Sequence, residues 1–154
     1  MRFRYVGGIG APHSDRVEFD PSHNILETVC SGGYASGEFF FVCTPDLKLF
    51  LRFRVADGSF VGLSRKDLNL NTLPRTEIDL PYASDGEVKT DWRVRDIIPD
   101  CYYIGFDGAA RYDEKSNSLL FGKISRGGAV FRVLDNAYIS LGSDGSLSGV
   151  VVRL

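Results

Sequence analysis

The sequence predicts an all-β fold, predominantly antiparallel, arranged as a single-domain barrel or a two-sheet sandwich. Three observations carry that expectation: period-two alternation in several segments, four Asp-Gly pairs, and two distant octapeptides with one hairpin layout.

Taken in chain order, Met1, Phe3 and Tyr5 alternate with Arg2 and Arg4, which reads as a strand. The stretch FDPSHNIL, residues 19–26, is ambiguous by itself, because Asp20 and Pro21 suit the start of a short helix ending at Gly32. YDEKSNSL, residues 112–119, repeats its layout of aromatic, Asp, three variable residues, Asn, one variable residue, Leu. Two copies of one design favour four- or five-residue hairpin connections, with Asp and Asn bonding the local backbone.

In FFFVCTPDLKLFLRFRV, residues 39–55, Leu47, Leu49, Leu51, Phe53 and Val55 fall on one parity, and Lys48, Phe50, Arg52 and Arg54 on the other. A strand with a basic outer face follows. One or two short helices are expected in the 64–99 region. Ser64 and Asp67 resemble a capping box before Leu68 and Leu73, and Thr90-Asp91 would cap a turn carrying Trp92, Arg95 and Ile98 before Pro99. Further on, Ala129, Phe131 and Val133 alternate with Val130, Arg132 and Leu134, and the sequence closes on GVVVRL.

Asp-Gly at 57–58, 85–86, 107–108 and 144–145 marks turns, because this pair accepts the positive φ angles of tight hairpins. The pair within LGSDGSLSGVVV is the clearest hairpin, whereas that in YASDGEVK lies in a more polar loop. Uneven spacing argues against a solenoid or propeller, so residues 1–154 are expected to form one β-rich domain.

At 154 residues, such a domain buries about 70% of the surface its extended chain exposes, enough for a core without disulfides. Cys30, Cys43 and Cys101 are odd in number, widely spaced and set among apolar neighbours, which reads as buried reduced thiols. No secretory signal and no long apolar run is visible, so the expected compartment is cytoplasmic, with no membrane. A net charge of −2 gives no global attraction to nucleic acid.

Recognisable catalytic chemistry is missing. GGIG at 7–10 lacks the frame and Lys-Ser/Thr of a phosphate loop, and no Asp-Gly pair follows the alternating carboxylates of a calcium loop. His13 and His23 have no metal-ligand spacing, so no metal and no cofactor are expected. His23 with Cys30 is the nearest nucleophile and base, but the two lie on opposite sides of a predicted hairpin arm. The run GSLSG at 145–149 is not a nucleophile elbow. Glu18, Glu27, Glu38 or Glu87 would need strand pairing to converge as a catalytic pair.

Arginines recur at alternate or aromatic-flanked positions: Arg2 and Arg4, Arg52 and Arg54 beside Lys48, Arg93 and Arg95, and Arg132. The expected function is non-enzymatic protein binding by an inhibitor, immunity-type or adaptor domain, through Lys48, Phe50, Arg52 and Arg54 on an acidic partner. Alternatives are a small-ligand-binding barrel lined by Tyr5, Tyr34, Tyr82 or Tyr103, an enzyme with a carboxylate or Cys-His site, and a nucleic-acid binder using Phe50 with Tyr102 or Tyr103. The acidic balance ranks nucleic acid last.

Overall fold

The computed structural model describes residues 3–6, 15–29, 39–90, 102–103 and 105–154, the first and fourth stretches by backbone alone. Residues 3–90 supply β1 (Phe3–Val6), β2 (Arg16–Asp20), β3 (Ile25–Val29), β4 (Phe39–Cys43), β5 (Leu49–Arg54), β6 (Phe60–Arg65), β7 (Ala83–Asp85) and β8 (Glu87–Thr90). The remainder supplies β9 (Tyr102–Tyr103), β10 (Ala110–Asp113), β11 (Ser118–Gly122), β12 (Ala129–Leu134), β13 (Ala137–Leu141) and β14 (Leu147–Arg153). Strands β2-β3-β6-β5-β4-β9 form one sheet, here the open sheet, and β10-β11-β14-β13-β12-β7 form a second, the covered sheet. β1 and β8 make a separate antiparallel ribbon.

Both large sheets are antiparallel except where β9 joins β4 and β7 joins β12. Each has two end strands, so the architecture is the sandwich and not the closed barrel. Its core is Leu26, Val42, Leu49, Leu51, Phe53 and Leu63 from the open sheet against Leu119, Phe121, Val133, Ile139, Val150 and Val152 from the covered one. Phe53 stacks on Phe40 at 5.5 Å and meets Phe60 edge-on at 5.6 Å.

Both octapeptides are hairpins. Asp20 pairs with Ile25 and Asp113 with Ser118, leaving four-residue turns. The Asp in each accepts local bonds, Asp20 from the Ser22 amide and Asp113 from the Lys115 amide. The two asparagines act differently from the expected backbone bonding: Asn24 and Asn117 occupy the left-handed region at φ 55° and 49°, where a short polar side chain is tolerated. Of the Asp-Gly pairs, only 57–58 and 144–145 close hairpins with a left-handed glycine. Asp85-Gly86 and Asp107-Gly108 instead stand where the chain changes sheets.

The helix expected from Ser64 is not formed. Ser64 lies inside β6, and Asn69 caps a single 3-10 turn at Leu70–Thr72 by accepting from the Asn71 amide. The Thr90-Asp91 cap with Trp92, Arg95 and Ile98 lies outside the described residues beyond Thr90. After the 3-10 turn the chain becomes a strap. Pro74 and Thr76 bond to Tyr112 at the β10 edge, Ile78 and Leu80 pack on Leu120, Val130, Tyr138 and Val151, and Ala83–Asp85 then adds to β12 at the far edge. Seven extended residues span about 23 Å, sufficient for the four inter-strand steps of about 4.8 Å from β10 to β12.

Asn136, in the β12–β13 turn, ties the two sheets together. Its carboxamide accepts from the Val17 amide at 2.7 Å and donates to the Val17 carbonyl at 2.8 Å, satisfying the outer edge of β2 as another strand would. It also donates to the Arg153 carbonyl.

Candidate functional site

The alternation read in β5 holds over Leu49–Arg54: Leu49, Leu51 and Phe53 are fully buried, while Phe50, Arg52 and Arg54 point outward and are half-buried. The strand is shorter than the sequence pattern. Leu47 sits in the β4–β5 turn, 51% exposed and left-handed at φ 55°, so it belongs to no buried face. Lys48 is exposed in the same turn, its amide donating to Asp46.

Strand register completes the face. Antiparallel pairing sets Phe39 opposite Arg54 and Phe41 opposite Arg52, and Phe41 is 49% exposed. On the other side Gly62 stands opposite Arg52. A Cβ at residue 62 would lie 2.9 Å from Arg52 Nη2, so the absence of a side chain lets the guanidinium lie across the sheet. Arg52 Cζ is 5.9 Å from the Phe39 ring centre and Lys66 Nζ is 6.0 Å from that of Phe50, both at the outer limit of cation–π contact. Arg54 lies 3.7 Å from Asp57, which also approaches Lys89 at 3.8 Å.

The face is therefore a patch of Phe39, Phe41 and Phe50 interleaved with Arg52, Arg54, Lys48 and Lys66. No carboxylate pairs with Lys48, Arg52 or Lys66 among the described residues. Toward β2 and β3 its character changes: Glu18 stands directly opposite Glu27, both exposed, with Arg16 4.0 Å from Glu18 and Val29 46% exposed beside them. Phe39, Phe41 and Lys66 escaped the sequence reading. FFFVC is apolar at every position, so only its register against β5 tells which phenylalanines face out.

No protein-family model and no curated protein matches this chain. The site rests on its geometry.

Other candidates fare differently. Glu18 and Glu27 do meet across β2 and β3, but as an exposed pair on an open sheet face they exclude no water. Glu87 pairs with Lys89 at 3.3 Å. His23 Nδ1 lies 2.7 Å from Asp20, and the Ser22 hydroxyl donates to the same carboxylate. Those bonds, Ser22 first, hold the Asp20 carboxyl well below the usual range. Serine and histidine converge on one acid and not on each other, which makes a turn and not a nucleophile with its base. Among the described residues no three potential ligands gather as a metal site. Cys43 is fully buried in β4. Arg2, His13, Cys30, Tyr34, Glu38, Arg93, Arg95 and Cys101 lie outside the described residues, and of Arg4, Tyr5, Tyr102 and Tyr103 only the backbone is described.

A polar cluster at one end of the core was not foreseen. Arg65, 4% exposed, occupies the inward parity of β6, where its Nε donates to the Gly108 carbonyl at 2.9 Å. Burial pushes its guanidinium below the ordinary value, with Asp46 and Asp67 opposing. The Gly108 amide and the Thr44 hydroxyl both donate to Asp46, which ties the β4–β5 turn to the chain's passage into the covered sheet.

Proposed function

We propose that this chain is a non-enzymatic protein-binding domain that docks an acidic partner protein on the Phe39, Phe41, Phe50, Arg52 and Arg54 face. The observation that carries this reading is the unequal treatment of the two outer faces. The chain lays its own strap over one sheet, whereas no such strap crosses the half-buried aromatic and basic patch on the other among the described residues. Aromatic residues and arginines are the side chains most enriched at binding hot spots. The patch suits a partner that is acidic above β4 and β5, and Glu18 with Glu27 disfavours acidic groups above β2 and β3, so orientation is selected as well as identity. An inhibitor, immunity-type or adaptor role fits such a surface.

The test begins with proteins retained by the immobilised parent and lost from an Arg52→Glu, Arg54→Glu double variant, followed by calorimetric titration of the partner so identified. A drop of about 30-fold or more, equivalent to about 2 kcal/mol, is expected. Affinity within about threefold of the parent overturns the reading. The double variant should melt near the parent temperature, because Leu49, Leu51 and Phe53 are untouched.

A further inference from the structure

On the opposite side of the molecule the strap leaves a groove of about 400 Å³ where it bends into β7. Leu80, Pro81, Tyr82 and Ala83 line it together with Asp85, Arg132, Tyr138 and Arg153. That volume falls in the lower part of the range of small-molecule sites, about 300 to 1,000 Å³.

The groups lining it are specific. Arg132 is locked by Asp85, Nε to Oδ1 at 2.7 Å and Nη2 to Oδ2 at 3.1 Å, which neutralises the one acid of the groove. Arg153 has no such partner: its guanidinium lies 5.0 Å above the Tyr138 ring and pairs with no carboxylate among the described residues. Among the described residues, then, a positive charge with no opposing carboxylate stands on an aromatic platform. In the same groove Tyr82 is 91% exposed and follows Pro81, whose ring fixes the backbone there.

We propose that this groove binds a small aromatic anion, a single ring bearing one carboxylate or phosphate. The acid pairs with Arg153, whose planar fork matches either group in bidentate geometry. The ring packs against Tyr82 and Pro81, where an offset aromatic stack is available. A free inorganic anion would leave Tyr82 and Pro81 unused, and a neutral ring would leave the Arg153 charge unmatched.

The intact chain is titrated with benzoate and with phenyl phosphate while backbone amide signals are followed by NMR, with inorganic phosphate and benzamide as controls. Shifts should concentrate at Leu80–Asp85, Arg132, Tyr138 and Arg153. At least one ring acid should bind about tenfold more tightly than either control. Whether benzoate or phenyl phosphate is the tighter assigns the acid. Arg153→Gln should weaken binding about tenfold, Arg153→Lys by less, and Tyr82→Ala about threefold, with melting temperatures unchanged. Three outcomes overturn the proposal: no localised shift with either acid, equal affinity in the Arg153→Gln variant, or inorganic phosphate binding as tightly as phenyl phosphate.

Discussion

The two outer faces of the sandwich show that alternation along a strand records what covers it. In β5 of the open sheet, buried and half-buried residues alternate strictly from Leu49 to Arg54. In β13 of the covered sheet, Ala137, Tyr138, Ile139, Ser140 and Leu141 are all buried, because Ala137, Ile139 and Leu141 face the core while the strap packs on Tyr138 and Ser140 accepts from the Ser125 amide. The run Val150, Val151, Val152 in β14 has the same cause: Val150 and Val152 belong to the core, and Val151 to the small cluster under Ile78 and Leu80. A sheet buried on both faces loses its polar parity.

The largest effect should come from carboxylates placed on the two faces. Val151→Asp puts an unpaired charge under the strap and should cost about 3 kcal/mol or more, whereas Phe41→Asp on the open face should cost about 1 kcal/mol or less. Urea midpoints for both variants test the contrast, and equal losses would erase it. Next in size, Asn136→Ala should lower stability by about 2 kcal/mol, since three hydrogen bonds go and the Val17 amide at the β2 edge is left without its partner. The denaturant slope should stay constant while the midpoint falls.

A pH dependence should distinguish the strap from the sheet beneath it. The Ile78 amide, then the Ser116 hydroxyl, hold the Asp113 carboxyl below its ordinary value of 3.8. A carboxyl depressed in the folded state contributes stability that is complete above its unfolded pKa and is lost as pH falls through the folded one. Protection of the Ile78 amide against hydrogen exchange should therefore drop below pH about 4, relative to Val151, and Asp113→Asn should abolish that difference. Leu47 offers a smaller effect of opposite sign. Its left-handed backbone disfavours an L side chain, so Leu47→Gly should gain about 1 kcal/mol in a thermal melt. Smallest of all, Arg54→Gln removes one exposed ion pair with Asp57 and should shift stability by about 0.5 kcal/mol or less.

Much of this architecture was legible in the sequence, for local reasons. The parity of Leu49, Leu51 and Phe53 places their side chains on one face whatever the partner strand, and the Asp20–Asn24 and Asp113–Asn117 spacings specify tight turns through contacts two or three residues long. Arg52 and Arg54 were therefore legible as outward-facing groups. What lay beside them was not, since Phe41 and Gly62 reach Arg52 only through register.

By itself, then, the sequence determined the all-β class, the hairpins at Asp20–Ile25, Asp113–Ser118, Asp57-Gly58 and Asp144-Gly145, and the parity of Leu49–Arg54 in β5, all of which depend on interactions within a few residues. Only the tertiary structure decided sandwich over barrel, sent residues 74–82 across a sheet instead of into one, and turned the inward position of β6 over to Arg65. It also brought Asp85 to Arg132 and Asn136 to Val17, 47 and 119 positions apart in the chain. A periodic pattern says which side of a strand is apolar. It contains nothing about which distant backbone will come to cover that side, because that choice is made by the packing of whole sheets.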